Sequence, residues 1–296
     1  MLFRISSRED NWNRKATYHD LMQYIRELIF LFPDFITLEY IGTSADKRKI
    51  PLLTVVRKNS PPDQIKNHIC LVSGVHGREV VNPIVLVHLA YWYARYRKDW
   101  LTWNCLYLIP VLNPDGYVIA TEGKDAISNI RLQKKIVTDQ TEAVLWKGNA
   151  RGVDLNRNFP SVLWKKTEQS GYPGSEKETL ALMGFLNHHP VEIFLDIHSR
   201  GNQIYYYRKT ESDAYNIKQR LLAEEIRELT GYTLMMPEEE VALSDSGGNT
   251  VHYVAEHLKI PAITLETIPE KETFPLSFAY QEDIFEKIVL IPMKLV

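Results

Sequence analysis

Two His-x-x-Glu pairs in this sequence have a spacing that suits metal binding. The first, His76 and Glu79, lies in the stretch SGVHGREVVNP. The second, His189 and Glu192, is interrupted by a proline. Imidazole and carboxylate groups are common zinc ligands, so either pair could supply two of the three protein ligands of a catalytic site. Because one such pair arises easily by chance in a chain with nine His, the position of each pair in the fold must decide between them.

The pattern of apolar residues predicts alternating helices and strands. Apolar residues recur every three or four positions from Tyr18 to Phe32, which indicates an amphipathic helix that ends at Pro33. Further helices are predicted at residues 83–97, 175–187, 214–229, 248–258 and about 280–291. Strands are predicted at residues 35–42, 50–56, 68–74, 104–112, 191–197, 203–207 and 261–266. Such alternation indicates an α/β sandwich with a mixed, mostly buried sheet.

Two local patterns refine this prediction. Ser175 and Glu178 have the spacing of a capping box, which places the start of one helix between them. Residues Gly116 to Ala150 are charged and have no clear period, so we expect a long loop or an insertion on the surface. The sequence contains no internal repeat and no linker-like tract, and we therefore predict one domain over residues 1–296.

The overall composition excludes several classes of protein. The chain has 296 residues, is 45% hydrophobic and carries a formal net charge of −2, so it has no general attraction for nucleic acid or an anionic membrane. The N-terminus is polar, and no segment has eighteen consecutive uncharged apolar residues. We therefore expect a cytoplasmic protein without a membrane anchor. Cys70 and Cys105 lie in apolar strands and are expected to be buried free thiols.

Polar side chains concentrate where several predicted strands end. His76 and Glu79 follow one strand, His198 follows another, and Glu266 closes a third. Open α/β sheets bind ligands beyond the carboxyl ends of their strands, whereas His189 and Glu192 stand at the start of a strand. A catalytic zinc often has two His and one Glu as ligands, which predicts one zinc per chain. Glu266 is then a spare carboxylate, suited to accept a proton from the attacking water and to pass it to a leaving amine.

A second polar segment, RGVDLNRNFP at residues 151–160, offers groups for binding an anion. Arg157 can hold a carboxylate with two parallel hydrogen bonds, and the amide of Asn156 stands beside it. Asp154 could belong to the same set or could accept a hydrogen bond from a metal-binding His and hold its ring. The segment therefore predicts a substrate that carries a free carboxylate.

Six short motifs together resemble the zinc carboxypeptidase family related to pancreatic carboxypeptidase A. In chain order they are 76-HGRE-79, 113-NPDGY-117, 151-RGVDLNRNF-159, 196-DIHS-199, 246-SGG-248 and 264-TLE-266. The resemblance extends from about Tyr18 to about Ile268. It implies a three-layer α/β/α sandwich around a mixed, roughly eight-stranded sheet, one zinc ion, and hydrolysis of an amide next to a free carboxylate.

The resemblance also implies roles for individual residues. It makes His76, Glu79 and His198 the zinc ligands and Glu266 the general base. It assigns the substrate carboxylate to Asn156 and Arg157 with help from Arg78, and it gives Asp154 the task of orienting His76.

Three positions depart from the family pattern, and a fourth is the expected specificity position. Lys147 replaces an Arg that polarises the scissile carbonyl, and a Lys would act there as a point charge without the planar fork. Leu243 replaces a Tyr that closes over the substrate in digestive members. Arg200 replaces a Tyr beyond the third ligand and adds a cation near the pocket. Thr250, just past the SGG turn, is expected to help set the substrate preference.

These departures are most similar to bacterial members that cleave γ-D-glutamyl-diaminopimelate bonds in peptidoglycan peptides. The expected partner is therefore a peptide or murein-peptide substrate with a free carboxylate, read by Arg78, Arg157 and Arg200. A general peptide carboxypeptidase and an N-acyl amino acid deacylase of the aspartoacylase type remain alternatives. A catalytically dead binding module is a further alternative, against which the presence of Glu266 argues.

Overall fold

A mixed sheet of eight strands crosses the centre of the protein. The computed structural model describes residues 15–136, 142–243 and 247–296. Residues 1–14, Ser246 of the SGG motif and the side chain of Leu243 lie outside the described residues. The strands are β1 (Ile36–Thr43), β2 (Lys49–Val55), β3 (Asn67–Ser73), β4 (Asn104–Ile109), β5 (Ile193–Gly201), β6 (Gln203–Tyr205), β7 (Thr233–Leu234) and β8 (Ala262–Pro269).

The strand order is β1-β2-β4-β3-β5-β8-β6-β7. The four central strands β4, β3, β5 and β8 are parallel to their neighbours within this set. The pairs β1–β2, β2–β4 and β6–β8 are antiparallel. Because the central strands run in one direction, their carboxyl ends meet at one edge of the sheet, where a ligand site is expected.

Helices cover both faces of the sheet. They are α1 (Tyr18–Leu31), α2 (Asn82–Tyr96), α3 (Pro114–Glu122), α4 (Ile130–Gln133), α5 (Lys177–His188), α6 (Asp213–Thr230), α7 (Pro237–Leu243), α8 (Thr250–Tyr253), α9 (Gln281–Ile288) and α10 (Ile291–Lys294). The predicted helix at 248–258 is α8 followed by a π-helical turn over Val254–Leu258. No helix among the described residues is long and apolar enough to cross a membrane.

Alternation along the strands builds two cores. In β3, Ile69 and Leu71 pack in the core that includes α1, α2, α6 and α9. Cys70 and Val72 point to the opposite face, into the core that includes α5 and α8. Successive side chains of a strand face opposite sides of a sheet, so a strand buried on both faces reads as a continuous apolar run. The predicted three-layer α/β/α sandwich around a mixed sheet is confirmed, and both cysteines are buried and free.

The predicted capping box at Ser175 and Glu178 is wrong. Helix α5 begins at Lys177, its N-cap is Glu176, and no side chain caps it. The Ser175 hydroxyl donates instead to the carboxylate of Glu176. Glu178 is fully buried and accepts a hydrogen bond from the backbone N–H of Ala45. A distant partner in the tertiary structure therefore takes the side chain that would have completed the box.

The prediction of a long loop or an insertion on the surface from Gly116 to Ala150 is right for the exposed residues 128–131 and wrong for the start of the segment, which is buried and helical. Gly116 lies in α3, whose N-cap Asn113 accepts from the Gly116 N–H at 2.9 Å. Five apolar residues of the segment form a small third core: Ile119, Ile127, Ile136, Ala143 and Ala150. The helices and turns are too short to show a period, so only their packing reveals the buried side.

Candidate active site

The residues of the first motif are held in place by close backbone packing beyond the end of β3. The Asn113 side-chain amide donates to the carbonyls of Val75 and Gly148, at 3.1 Å in each case. Gly77 packs so tightly that a Cβ atom would lie 2.4 Å from the Gly116 carbonyl oxygen. Only glycine fits there, which explains the residue between His76 and Arg78. The NPDGY motif thus fixes the loop that carries His76.

The other two predicted groups lie inside strands. His198 belongs to β5 and Glu266 to β8, and the two are direct partners in the parallel register. Both strands continue past the predicted ends, at 197 and 266, to Gly201 and Pro269. The prediction that these residues share the carboxyl edge with His76 and Glu79 holds, but they stand within the paired part of their strands rather than after it.

His76, Glu79 and His198 form a buried group whose candidate ligand atoms all lie within 4.8 Å of one another. The Nδ1 atom of His76 is 2.6 Å from one oxygen of Glu79, and the Nδ1 atom of His198 is 3.0 Å from the other. Among the described residues, no other group of three His, Cys, Asp or Glu side chains has the geometry to hold a metal ion.

Each histidine ring contacts an aspartate with its second nitrogen. His76 Nε2 lies 3.2 Å from Asp154 Oδ1, and His198 Nε2 lies 2.9 Å from Asp196 Oδ2. Burial alone would lower the pKa of His198, but the carboxylates of Asp196 and Glu79 raise it above its ordinary value. Burial alone would raise the pKa of the Glu79 carboxyl, but the two histidines hold that pKa well below its usual range.

This arrangement fits a zinc ion. Two imidazoles and one carboxylate form a common catalytic zinc set, and three protein ligands leave room for water. Both rings present Nδ1 to the shared centre and Nε2 to an aspartate, which is the pattern in which an outer carboxylate fixes the ring of a metal-binding His. The chemistry and the orientation of the donors therefore agree with the metal that the sequence predicted.

Glu266 stands beside this group without joining it. Burial raises the pKa of its carboxyl to about 7, against the opposing effect of His198. Its Oε2 atom is buried and has no hydrogen-bond partner among the described residues. A carboxylate with these properties can take up and release a proton near neutral pH, which is the property of a general base.

Asp154 links His76 to Lys147. Its Oδ2 atom is 2.7 Å from the Lys147 ammonium, and its Oδ1 atom accepts from the backbone N–H of Asn156. Although burial would raise it, His76 and Lys147 hold the pKa of the Asp154 carboxyl well below its usual range. The Lys147 side chain is 31% exposed, so its ammonium is paired yet remains at the surface of the site.

The predicted carboxylate-binding residues lie next to Thr250. The Asn156 side-chain oxygen accepts from the Thr250 N–H at 3.3 Å. Arg157 donates through Nη1 to the carbonyl of Asn156, and its own carbonyl accepts from the Trp164 indole. Thr250 is fully buried, and its hydroxyl donates to Asp196. The structure therefore brings Asn156 and Thr250 into contact, with Arg157 adjacent to Asn156.

Arg78 and Arg200 are the remaining predicted cations. Arg78 lies over the ring of Phe274, with its guanidinium carbon 4.4 Å from the ring centre. Arg78 also lines a cavity of about 380 Å³ together with Lys147 and Trp146. The Nε atoms of Arg78 and Arg200 are buried and have no hydrogen-bond partner among the described residues. Neither side chain contacts the His76–Glu79–His198 group through a hydrogen bond or ion pair that the structure describes.

Sequence reasoning assigned no role to Asp196. The residue is buried, contacts His198 Nε2 and accepts the Thr250 hydroxyl. A signal was present, because residues two apart in a strand share a face, and Asp196 therefore lies on the side of His198. Sequence reasoning also missed a buried triangle of hydrogen bonds among Asn82, Ser199 and Thr267. This triangle joins β5 and β8 to the start of α2.

Comparisons with known proteins agree with this geometry. Rat carboxypeptidase B2 is 26% identical over 262 residues, which cover 78% of this chain and 59% of the rat protein. Bovine thrombin-activatable fibrinolysis inhibitor, solved in complex with tick carboxypeptidase inhibitor, superposes with a TM-score of 0.74 at 22% identity and covers 95% of this chain and 96% of that chain. Murein-tripeptide amidase MpaA from Escherichia coli O157 gives a TM-score of 0.52 at 18% identity and covers 88% and 92%.

The family comparison covers nearly all of the described chain. The chain spans about three fifths of the length of the carboxypeptidase B2 relatives that it matches. The likenesses to solved structures, all of low identity, show the fold. A family model described as zinc carboxypeptidase matches residues 21–287, a range that contains His76, Glu79, His198, Glu266 and the polar segment 151–160. This chain belongs to the zinc carboxypeptidase family.

Proposed function

We propose that this protein is a zinc-dependent carboxypeptidase-type hydrolase that cleaves an amide bond next to a free carboxylate. The observation that carries the proposal is the buried group of His76, Glu79 and His198 with Glu266 beside it, whose Oε2 atom has no hydrogen-bond partner among the described residues. A zinc ion held by these three side chains supplies Lewis acidity, which activates water and polarises a carbonyl group. Asp154 and Asp196 hold the two imidazole rings in the required orientation.

Glu266 performs the proton transfers in this proposal. Its carboxylate stands beside the three metal ligands, where it can take a proton from the attacking water and then donate that proton to the leaving amine. Burial of its Oε2 atom keeps bulk water from competing for the proton. Lys147 lies at the surface of the site next to Asp154, and its ammonium is the group available to stabilise the developing oxyanion.

Asn156 and Arg157 bind the carboxylate of the substrate. The backbone N–H of Asn156 donates to Asp154, and its side-chain oxygen accepts from the backbone N–H of Thr250. Asn156 is therefore held between Thr250 and the aspartate that contacts His76. A guanidinium and an amide side by side recognise a carboxylate by charge and by direction. This contact places the last residue of a peptide, and no internal residue, next to Glu266.

The more specific part of the proposal is a small peptidoglycan-derived peptide containing γ-D-glutamyl-diaminopimelate. Such a peptide carries several carboxylates, and Arg78 and Arg200 each have a buried Nε atom without a partner among the described residues. The cavity lined by Arg78 and Lys147 offers room for the glutamyl side of the bond. The likeness to murein-tripeptide amidase MpaA, which shows the fold, is compatible with this choice.

Direct incubation tests the proposal. The zinc-loaded protein is mixed separately with L-Ala-γ-D-Glu-diaminopimelate, with benzoylglycyl amino acids and with N-acetyl amino acids, and products are measured by mass spectrometry. We expect release of the C-terminal residue from the first substrate and slower release from the second. Glu266→Gln protein is the matched control, since it should keep zinc and form little product. Cleavage of N-acetyl amino acids alone would indicate a deacylase, and no cleavage of any substrate would overturn the proposal.

A further inference from the structure

The triangle of Asn82, Ser199 and Thr267 is a closed set of hydrogen bonds between α2, β5 and β8. The Asn82 amide nitrogen donates to the Ser199 hydroxyl at 3.0 Å, and the Thr267 hydroxyl donates to the Asn82 amide oxygen at 3.0 Å. The two hydroxyl oxygens are 2.8 Å apart. With the Ser199 hydrogen directed to Thr267, each of the three side chains donates once and accepts once within the triangle.

The triangle is a polar set inside an apolar core. All three side chains are buried. Ser199 shares a face of β5 with Ile197, and Thr267 shares a face of β8 with Leu265, and both of these apolar residues belong to the core that includes α2. Replacing a satisfied buried hydrogen-bonded set by apolar groups of the same shape is often nearly neutral for stability. What such hydrogen bonds add is direction, because a fully satisfied network fixes one arrangement of the groups that carry it.

Each member of the triangle adjoins a residue of the active site. The members stand three, one and one positions after residues of the site, which are Glu79, His198 and Glu266. The two strand members, Ser199 and Thr267, are direct partners in the parallel register of β5 and β8. The three segments that carry these site residues therefore cannot shift against one another without breaking a hydrogen bond of the triangle.

The backbone of Ser199 connects the triangle to the metal group. Its N–H donates to Glu79 Oε2 at 3.2 Å, the oxygen that also lies 3.0 Å from His198 Nδ1. The Thr267 hydroxyl lies 2.9 Å from the carbonyl oxygen of His198, so a second member of the triangle contacts the backbone of a predicted ligand. Hydrogen bonds of this kind orient the groups that bind a metal, and their loss lowers metal affinity.

We propose that Asn82, Ser199 and Thr267 are positioning residues for the zinc site. The triangle holds the Ser199 N–H against the Glu79 carboxylate, which keeps this ligand directed at the centre that it shares with the two histidines. It also fixes β5 against β8 and so sets the distance between the metal group and Glu266. The second effect rests on the proposed function, whereas the first concerns only the metal.

Zinc affinity tests the first effect. Zinc-loaded proteins are titrated with a competing chelator, and the dissociation constant for zinc follows from the metal that stays bound. Thr267→Val keeps the shape of the side chain and removes the hydroxyl, so it should weaken zinc binding about tenfold or more, the usual effect of removing an outer partner of a ligand. Thr267→Ser keeps the hydroxyl and should bind zinc about as tightly as the native protein. If Thr267→Val does not fold, Ser199→Ala opens the triangle by the loss of one oxygen atom, with the same expected loss of affinity.

Thr230→Val is the matched control. Thr230 is also buried, and its hydroxyl donates to the carbonyl of Ile226 in α6, a helix that carries no residue of the site. The control should become less stable to urea and keep its zinc affinity. If it weakens zinc binding as much as Thr267→Val does, or if Thr267→Val keeps the native affinity, the triangle only stabilises the fold and the inference is wrong.

A double substitution tests whether the triangle acts as a unit. Asn82→Leu and Thr267→Val open the same triangle, so the double variant should bind zinc about as weakly as the weaker single variant. Losses that simply add would mean that the two side chains act separately, and this result would overturn the inference.

Turnover in saturating zinc tests the second effect. The kcat of Thr267→Val should fall while KM changes little, because the residues assigned to the substrate carboxylate are untouched. An unchanged kcat would overturn this second effect. Weaker zinc binding by Thr267→Val supports the triangle even if the native enzyme cleaves no substrate. Cleavage by the native enzyme, together with native zinc affinity in every triangle variant, keeps the proposed function and overturns the inference.

Discussion

The two His-x-x-Glu pairs have the same spacing and opposite surroundings. His76 and Glu79 lie beyond the end of β3, are buried, and meet His198 from a neighbouring strand. His189 stands at the end of α5, where its ring contacts the carbonyl of Phe185, and Glu192 accepts from the backbone N–H of His68 at the start of β3. The Glu192 side chain is half exposed. The second pair is thus part of the opposite edge of the sheet.

The His-x-x-Glu spacing can bring two metal-ligating side chains near each other, but it does not by itself form a metal site. The first pair is joined by a third donor and by two aspartates, all delivered by other segments of the chain. The second pair is divided between a helix end and a strand start, and its two members have separate partners, Phe185 for His189 and His68 for Glu192. At the carboxyl edge, where open α/β sheets bind their ligands, several parallel strands bring their side chains to one place.

The largest expected effect is loss of zinc. His198→Ala should abolish tight zinc binding, because it removes one of three ligands, and His76→Ala should do the same. The matched substitution His189→Ala should leave the zinc content at about one per chain. Metal analysis of the purified proteins after dialysis against a chelator measures the difference. Full zinc in the His198→Ala protein would break the comparison.

The next largest effect concerns Glu266. Glu266→Gln keeps the size of the side chain but removes its basicity, so kcat should fall by about 10² to 10⁴ while KM changes little. Glu192→Gln, the same change at the opposite edge, should leave kcat within about twofold. Steady-state kinetics with zinc content measured in parallel test both variants. A Glu266→Gln protein without zinc would mean that Glu266 is a ligand rather than a base.

A smaller effect is expected at the carboxylate of the substrate. Amidation of that carboxylate should lower kcat/KM. The loss of transition-state stabilisation should be about 2 to 3 kcal/mol, the scale of a charged hydrogen-bonded pair. Arg157→Gln should reduce the difference between the free and the amidated substrate, because the charge that distinguishes them is gone. Competition kinetics with the two substrates in one mixture measure the ratio directly. Equal rates for both substrates in the native enzyme would refute the carboxylate contact.

The smallest expected effect is on the free energy of unfolding when the second pair, His189 and Glu192, is changed. Glu192→Gln removes the charge of a half-exposed side chain but keeps an oxygen that can accept from the His68 backbone N–H, so the free energy of unfolding should fall by no more than about 1 kcal/mol. Urea denaturation of the native and variant proteins in the presence of excess zinc gives this value. A variant that loses zinc as well would show that the two edges of the sheet are not independent.

Motifs and apolar patterns in the sequence determine much of this protein by themselves. Continuous apolar runs such as the one in β3 predict strands buried on both faces, because each face needs its own apolar side chains. The placement of His76, Glu79, His198 and Glu266 follows from the same strands, since parallel neighbours share a carboxyl edge. Gly77 and Asn113 belong to motifs whose geometry the structure explains by close packing.

Tertiary structure alone decided the rest. The predicted capping box of α5 does not form, because the Glu178 carboxylate accepts instead from the backbone N–H of Ala45, which lies 133 residues away in the chain. No sequence period reveals the buried side of the segment from Gly116 to Ala150, since its helices and turns are shorter than the roughly 11 residues over which a helical period is recognised. The contact between Asp196 and Thr250 joins β5 to α8. Local spacing in the sequence predicts which residues are neighbours within one element. It does not predict contacts between two elements, because those depend on how the elements pack.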